Sequence, residues 1–569
     1  MLAAPVPLLV WLAWERRWMS DDGLINLRVV DQVMSGNGPV FNAGERVEAA
    51  TSPLWIALLT AGDLLLPLRL EWVAVVLGIA STLVGVGAAI TGSARLWEQA
   101  GGGVLVPLGA LCLVVIPPVW DFSSSGLEGG LGLCWIGTSL LLLQRWASSG
   151  GRHVAAAAVV CGLGPVVRPD FVVLSGALLV ALLVGERGTA VAHRLRLVAL
   201  FAAVPLAYEL FRMAYFGALV PNTYFAKEGG RANWEQGWWY LRDLVGPYRL
   251  WVPVAVLGAT AIVPLVVLLH RQHERRAALV AAAFPVGGLL SALAIVRGGG
   301  DFMHARMLLP SLFAILAPVT AVALRRRTAW ALAVVPWAAA CLLAFDSPGS
   351  TPRHGIADHR AGLHELLGRD RLVTLDDFGY GPGGPNAFTF DDEHRLYADG
   401  RPLELGGRPV SLVPGAPDRV VIAYGVGAVG YYAGPDTHVV DMLGLGDALA
   451  ARLWLDERGP LPGHEKGLPP AWVWARFIDP SVEPDPALLA PPAVLVEVSP
   501  TLAGSREGDF AAEVEAARAA LRCTELADLT ESTQRTSAPA ALADNAVNAI
   551  ALFAFRVPPR PIDAHDHLC

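Results

Sequence analysis

Hydrophobic positions in the first 345 residues gather into a run of apolar blocks with basic residues between them. The blocks lie near 2–14, 53–67, 70–92, 103–118, 127–143, 154–167, 171–185, 195–216, 250–269, 277–296, 308–324 and 329–345. Each predicts a helix, although several fall short of the roughly 20 residues that a bilayer core requires. Orientation follows from the short basic loops, which mark the cytoplasmic side. Arg187, Arg194 and Arg196 form one; Arg271, Arg275 and Arg276 a second; Arg325, Arg326 and Arg327 a third. An even number of blocks separates them, so all three agree.

Counting outward from these loops places 119–126, 168–170, 217–249, 297–307 and everything after 346 on the outer side. Residues 15–52 join them if 53–67 and 70–92 together make one crossing. The block 53–67 is short and holds Asp63 and Pro67, so it reads as an interfacial helix that dips into the membrane. The expectation is about 11 transmembrane helices, with the N-terminus inside. Met1 stands directly on the first block with no basic flank, which fits a truncated or misassigned start better than a cleaved signal peptide.

Composition sharpens the division. Only 17% of the 569 residues are charged, where a soluble chain carries roughly a quarter. Residues 1–345 hold 25 Lys+Arg against 19 Asp+Glu, and residues 346–569 hold 18 against 32. Disorder, collagen, coiled coil and a single soluble enzyme are excluded. The chain reads as an α-helical polytopic membrane protein, 1–345, followed by an acidic C-terminal α/β extracytoplasmic domain, 346–569. Cys112, Cys134, Cys161 and Cys341 sit in apolar blocks as small hydrophobes. Cys523 and Cys569 lie in the soluble part, where no spacing rule argues for or against a disulfide between them.

The unusual polar clusters all fall on the outer side in this topology. They are Asp21-Asp22 with Glu45 and Glu48, Ser123-Ser124-Ser125-Gly126-Leu127-Glu128, Arg168-Pro169-Asp170, Pro221-Asn222-Thr223-Tyr224-Phe225-Ala226-Lys227, and Gly298 to Arg306 with Asp301 and His304. The inner loops carry no comparable mixture. Ionisable groups at a membrane boundary are costly unless paired or in use, so the one-sided gathering favours a site. Adjacent carboxylates such as Asp21 and Asp22 repel, which raises at least one pKa unless a cation is near. They are candidates for acid–base work, with a divalent cation left open; the plain alternative is that Ser20-Asp21-Asp22 caps a helix. Lys227, His304, Arg306 and Arg168 supply cations suited to a phosphate or pyrophosphate at headgroup level, or to anchoring on lipid headgroups. No motif demands a cofactor.

In the C-terminal part, Gly425-Val426-Gly427-Ala428-Val429-Gly430 follows the strand-like run 419–424 and matches GxGxxG. A dinucleotide site would place an acidic residue about 20 positions on; Asp441 comes too early, and nicotinamide cofactors are not available outside. These glycines read as βαβ packing residues. A polar loop, Pro462-Gly463-His464-Glu465-Lys466-Gly467-Leu468-Pro469, precedes Trp472 and Trp474, which are candidates to stack on a sugar or grip the membrane surface.

Ser20-Asp21-Asp22 with the stretch Gly36 to Glu48 resembles the first outer loop of GT-C fold glycosyltransferases. It looks most like that of the terminal β-1,2-arabinofuranosyltransferases of mycobacterial-type cell walls. The stretches Pro221 to Lys227, Gly299 to Arg306, Val440 to Leu445 and Pro462 to Lys466 extend the likeness over nearly the whole chain, with a departure at Ala49-Ala50. The resemblance implies a decaprenyl-phosphate-arabinofuranose donor, an arabinan acceptor in arabinogalactan or lipoarabinomannan, and a plasma-membrane enzyme working on the outer face, with no nucleic acid involved. Asp21 or Asp22 would carry catalysis. Lys227, His304, Arg306 and Arg168 would meet the donor phosphate. Glu48, Asn222, Tyr224, Asp301, His464 and Lys466 would contact substrate. Donor and product are both β-linked, so a single in-line displacement, which inverts, is not the whole course. The alternatives are another polyprenyl-phosphate glycosyltransferase, such as a mannosyltransferase, or a transporter of lipid-linked sugars.

Overall fold

The computed structural model describes residues 2, 4–270, 274–326, 328–344, 349–379, 403–405, 408–417, 419–459, 461–504, 508–534 and 538–569. Arg271 and Arg327, from two of the basic loops, lie outside the described residues. The chain is mostly helical and forms two compact units, each woven from separate stretches. The first takes Met1–Ser20, Ser52–Tyr208 and Ala232–Val373; the second takes Asp21–Thr51, Glu209–Arg231 and Thr374–Cys569.

Among the described residues, four helices are long and apolar enough to cross a membrane: Leu70–Gln99, Val191–Phe216, Trp251–His270 and Arg275–Gly298. At 1.5 Å per residue, the 30 residues of Leu70–Gln99 reach about 45 Å, more than a hydrocarbon core needs. Other apolar blocks form shorter pieces. The block 103–118 becomes the strand Val104–Val106, the seven-residue helix Leu108–Val114 and the start of Pro117–Asp121. Its strand pairs antiparallel with Val322–Leu324, in the register Val104↔Leu324. A seven-residue helix covers only about 10 Å.

Glycines set the closest packing in this unit. Helices Leu70–Gln99 and Gly129–Ser148 meet along Gly78 and Gly85 on one and Gly130 and Gly137 on the other, each pair seven residues apart. A Cβ on Gly130 would strike the carbonyl of Gly78, and one on Gly137 the carbonyl of Gly85. Small residues let backbones approach where lipid gives no hydrophobic drive for helix association. The helix Arg275–Gly298 is clasped similarly: Gly287 faces Leu174 and Ala177, and Gly288 faces Ser311 and Ile315.

In the second unit, strands Val420–Ala423 and His438–Asp441 pair in parallel, joined through helix Val426–Ala433. Helices Pro470–Phe477, Phe510–Ala520, Thr524–Gln534 and Pro561–Leu568 supply about half of its apolar core. Trp472 and Trp474 are fully buried there. Trp472 donates its indole N–H to the Pro559 carbonyl at 2.8 Å, and Trp474 packs edge-on against Phe510. Neither is available to a sugar or a membrane surface, because the short helix Pro470–Phe477 turns both indoles inward. Cys523 and Cys569 form a disulfide with Cα atoms 5.5 Å apart.

Candidate active site

The predicted site residues divide between the units. Arg168, Asp301, His304 and Arg306 belong to the first; Asp21, Asp22, Glu48, Asn222, Tyr224, Lys227, His464 and Lys466 belong to the second.

In the first unit, Pro169 holds Arg168 in extended backbone, φ −157° and ψ 138°, as a residue before proline prefers. That break ends the short helix Gly164–Val167 and turns the guanidinium inward. It pairs with Asp170 at 2.9 Å and Glu128 at 3.4 Å. Arg306 lies 2.7 Å from Asp301. Arg168 and Arg306 line one narrow cavity, whose other walls include Phe122, Leu127, Leu133, Leu309 and Pro310. The free space is about 20 Å³, enough for about one water.

His304 has different partners. Its Nδ1 lies 2.5 Å from Asp243 and its Nε2 3.1 Å from the Tyr248 hydroxyl, and the ring is buried. Sequence reading missed Asp243, Tyr248 and a second charged group. In that group Arg16 forks onto Asp121 at 2.8 and 2.9 Å, and Arg360 approaches the same carboxylate at 3.8 Å. The signal available was the isolated acid in the apolar run Pro117-Pro118-Val119-Trp120-Asp121, since a lone carboxylate there needs a cation.

In the second unit, Asp21 and Asp22 open the helix Asp21–Met34. The Asp21 carboxylate accepts backbone N–H groups from Gly427 at 3.1 Å and Ala428 at 2.8 Å, so it caps helix Val426–Ala433. The Gly-rich motif therefore receives a carboxylate of the same chain where a nucleotide site would hold pyrophosphate. Gly427 is small because Asp21 lies against it, and Gly430 because Arg28 and Phe41 do. Burial pushes the Asp21 carboxyl up to about 6; the two N–H groups pull the other way and the Asp22 charge adds to the rise. Those N–H donors make Asp21 a poor cation ligand. Among the described residues no group of three or more His, Cys, Asp or Glu is arranged to hold a metal ion.

Arg28 donates to the carbonyls of Phe41, Gly430, Gly434 and Thr437 and to the Asn42 side-chain oxygen, with the Asp31 charge nearby. Burial lowers its pKa to about 10. Asn42 accepts from the Val439 N–H at 2.9 Å and donates to its carbonyl at 3.0 Å, extending the strand pair by a side chain. Glu48 is buried in a fork with Arg212 at 2.6 and 3.3 Å. Asn222 donates its amide to the carbonyls of Gly444, Leu445 and Asp447. Lys466, 1% exposed, donates to Phe225 and Ala451 carbonyls and pairs with Glu228 at 2.5 Å; burial lowers its pKa to about 8. These three polar groups bind the loops of the unit together.

Tyr224 faces an open cavity of about 370 Å³, lined also by Glu228, Arg231, Phe553 and Arg556. Tyr224 and Phe553 stack at 6.3 Å, with Phe553 36% exposed. The Lys227 stem lies along Gly463, and the backbone N–H of His464 is donated to Leu461. Deeper in the unit, Arg476 joins Asp447 at 2.6 Å and Glu45 at 3.7 Å. Burial drives His438, beside them, down to about 3.

Comparison with known proteins gives two relatives of one description. Over 548 residues the chain is 33% identical to the protein named terminal β-(1→2)-arabinofuranosyltransferase from Mycobacterium tuberculosis, covering 83% of this chain and 84% of that one. Over 344 residues it is 40% identical to the protein of the same name from Corynebacterium glutamicum, covering 55% of this chain and 49% of that one. No protein-family model and no solved structure matches the chain.

Proposed function

Because this chain belongs to the family of terminal β-(1→2)-arabinofuranosyltransferases, we propose that it moves arabinofuranose from decaprenyl phosphate to the non-reducing ends of arabinan, forming terminal β-1,2 linkages. It is a glycosyltransferase and a membrane protein. The donor half of the reading rests on one observation: Arg168 and Arg306 share a narrow cavity with apolar walls. Guanidinium groups bind phosphate in a planar fork; the free space holds about one water, so a phosphate enters only as the ion pairs and apolar walls around it give way. The Glu128 contact to Arg168, at 3.4 Å the longest of its ion pairs, is the one an entering phosphate displaces.

In the reaction the bond from the sugar C1 to the phosphate oxygen breaks, and a bond from C1 to the acceptor 2-hydroxyl oxygen forms. The hydroxyl proton passes to a carboxylate. Asp22 is that carboxylate in this reading. Asp21 is committed to two backbone N–H groups, and consecutive helical residues point about 100° apart around the axis. Asp21 then orients the first turn that carries Asp22. Retention of the β configuration calls for a two-step course with a carboxylate nucleophile, or attack on the leaving-group face. The cavity at Tyr224 and Phe553 fits a glycan, because aromatic faces flanked by Arg and Glu match the apolar faces and hydroxyl edges of sugars.

The proposed topology keeps about eleven crossings, a membrane domain within 1–345, and residues 346–569 outside. The basic loops support it, as does the Cys523–Cys569 disulfide, since such bonds persist in oxidising compartments. The test is purified full-length protein in lipid nanodiscs with labelled decaprenyl-phosphate-arabinofuranose and a synthetic arabinan. Pentose transferred in a β-1,2 linkage is the expected product. Transfer only from a mannosyl lipid, or none at all, overturns the reading.

A further inference from the structure

The loop that carries Arg306 has an unusual backbone. Ala305 takes φ +64°, a region that residues with a Cβ rarely occupy. The Arg306 N–H is donated to the His304 carbonyl at 2.7 Å, two residues back, so 304–306 form a γ-turn of the strained hand. Such a turn persists only where its surroundings over-determine it.

Most of the side-chain support here comes from one helix, Trp234–Tyr248. The buried Tyr240 hydroxyl donates to the Met303 carbonyl at 3.0 Å and accepts the Met307 N–H at 2.9 Å, which ties the two ends of the loop to a single oxygen. Asp243 and Tyr248 grip the two ring nitrogens of His304. Positions 240, 243 and 248 fall on one helical face. From the other side the His304 N–H is donated to Ala357 at 2.9 Å. Every residue from 303 to 307 except the strained Ala305 and Arg306 is thus held by this helix, and Arg306 projects into the cavity shared with Arg168.

We propose that Tyr240, Asp243 and Tyr248 are positioning residues for the transfer reaction: through Met303, His304 and Met307 they fix the turn that aims Arg306 at the donor phosphate. This rests on the reading of Arg306 as a phosphate ligand. His304 then works as a brace, with both ring nitrogens turned to protein partners. Nothing in the loop sequence announces this, because the bracing side chains come from a helix some 60 residues earlier.

The experiment is a double-mutant cycle on donor kcat/KM with the full-length protein in nanodiscs. Asp243→Ala and Tyr240→Phe should each lower it at least about tenfold, below the roughly 100-fold that a 1 Å misplacement of a reacting group can cost. The acceptor KM should stay unchanged. Asp243→Asn, which still offers an oxygen to His304, should recover most of the loss. In an Arg306→Ala background neither substitution should cost more than about twofold, since coupled residues do not add. A full further loss in that background overturns the positioning role alone. Near-normal transfer by Arg306→Ala overturns the phosphate reading, and with it the target of the brace. Should Asp243→Ala fail to fold, Tyr240→Phe removes a single oxygen and completes the same cycle.

Discussion

At the scale of single residues, the two adjacent acids have separate work. Asp22→Asn should abolish transfer while the protein stays folded, measured as turnover alongside the thermal midpoint; near-normal turnover would remove Asp22 from catalysis. Asp21→Asn should act mainly on stability, with a pH signature. The folded Asp21 carboxyl sits near 6 against an ordinary 3.8, so the folded state holds its proton more tightly than the unfolded chain. Its contribution is therefore fully present below about 3.8 and lost as pH rises through about 6. Relative to the neutral Asn variant, the native protein should lose about 2 kcal/mol between pH 4 and 7. His438, held near 3 by burial, works in the opposite sense over part of that window. The difference between the two proteins isolates Asp21, whereas the native curve alone does not. A pH-independent difference would show that burial does not control this group. For the cavity, Arg306→Ala should cut turnover about 100-fold, the scale for one lost charge-stabilising donor. Arg306→Lys should restore little, because an ammonium cannot reproduce a planar fork.

Among the elements, the contact of Leu70–Gln99 with Gly129–Ser148 leaves no room for a single added methyl group. Gly137→Ala drives a Cβ into the Gly85 carbonyl, backbone against backbone, with no flexible side chain to yield. The expected loss is at least about 1–3 kcal/mol, the usual range for overpacking. Gly87 lies on Leu70–Gln99, two residues from Gly85, where an added Cβ meets nothing within 4 Å. Gly87→Ala should be neutral or slightly stabilising, since alanine favours helix. Thermal midpoints of the two variants in detergent decide the matter, and equal values would mean the helices do not meet at these glycines.

For the molecule as a whole, side and redox state are the open quantities. A cysteine at Ala190 should react with an impermeant thiol reagent only after the membrane is opened, and one at Ala232 should react in intact cells. Cys112, Cys161 and Cys341 are buried, and Cys134, which is half-buried, is replaced by serine to keep the background low. Labelling of Ala232→Cys only from the inside would reverse the topology. Cys523→Ser should destabilise the second unit by about 4 kcal/mol, the loop-closure entropy for a separation of 46 residues. The same midpoint with and without reductant would mean that the bond contributes nothing.

Some of this was legible in the amino-acid order alone. Apolar blocks between basic loops identify a membrane protein because hydrophobic length and charge are local quantities, readable without a fold. The strand–Gly–strand pattern around Gly425 identifies a parallel pair for the same reason, and the ordered motifs identify the family. The partners of the polar groups were not legible. Asp21 meets Gly427 and Ala428 across more than 400 residues. Lys466 reads as a loop cation yet closes on two carbonyls and Glu228. Trp472 and Trp474 read as surface aromatics yet fill a core. Local pattern sets which groups prefer water, but burying a polar group requires a partner, and only the packing of distant segments decides which one is within reach.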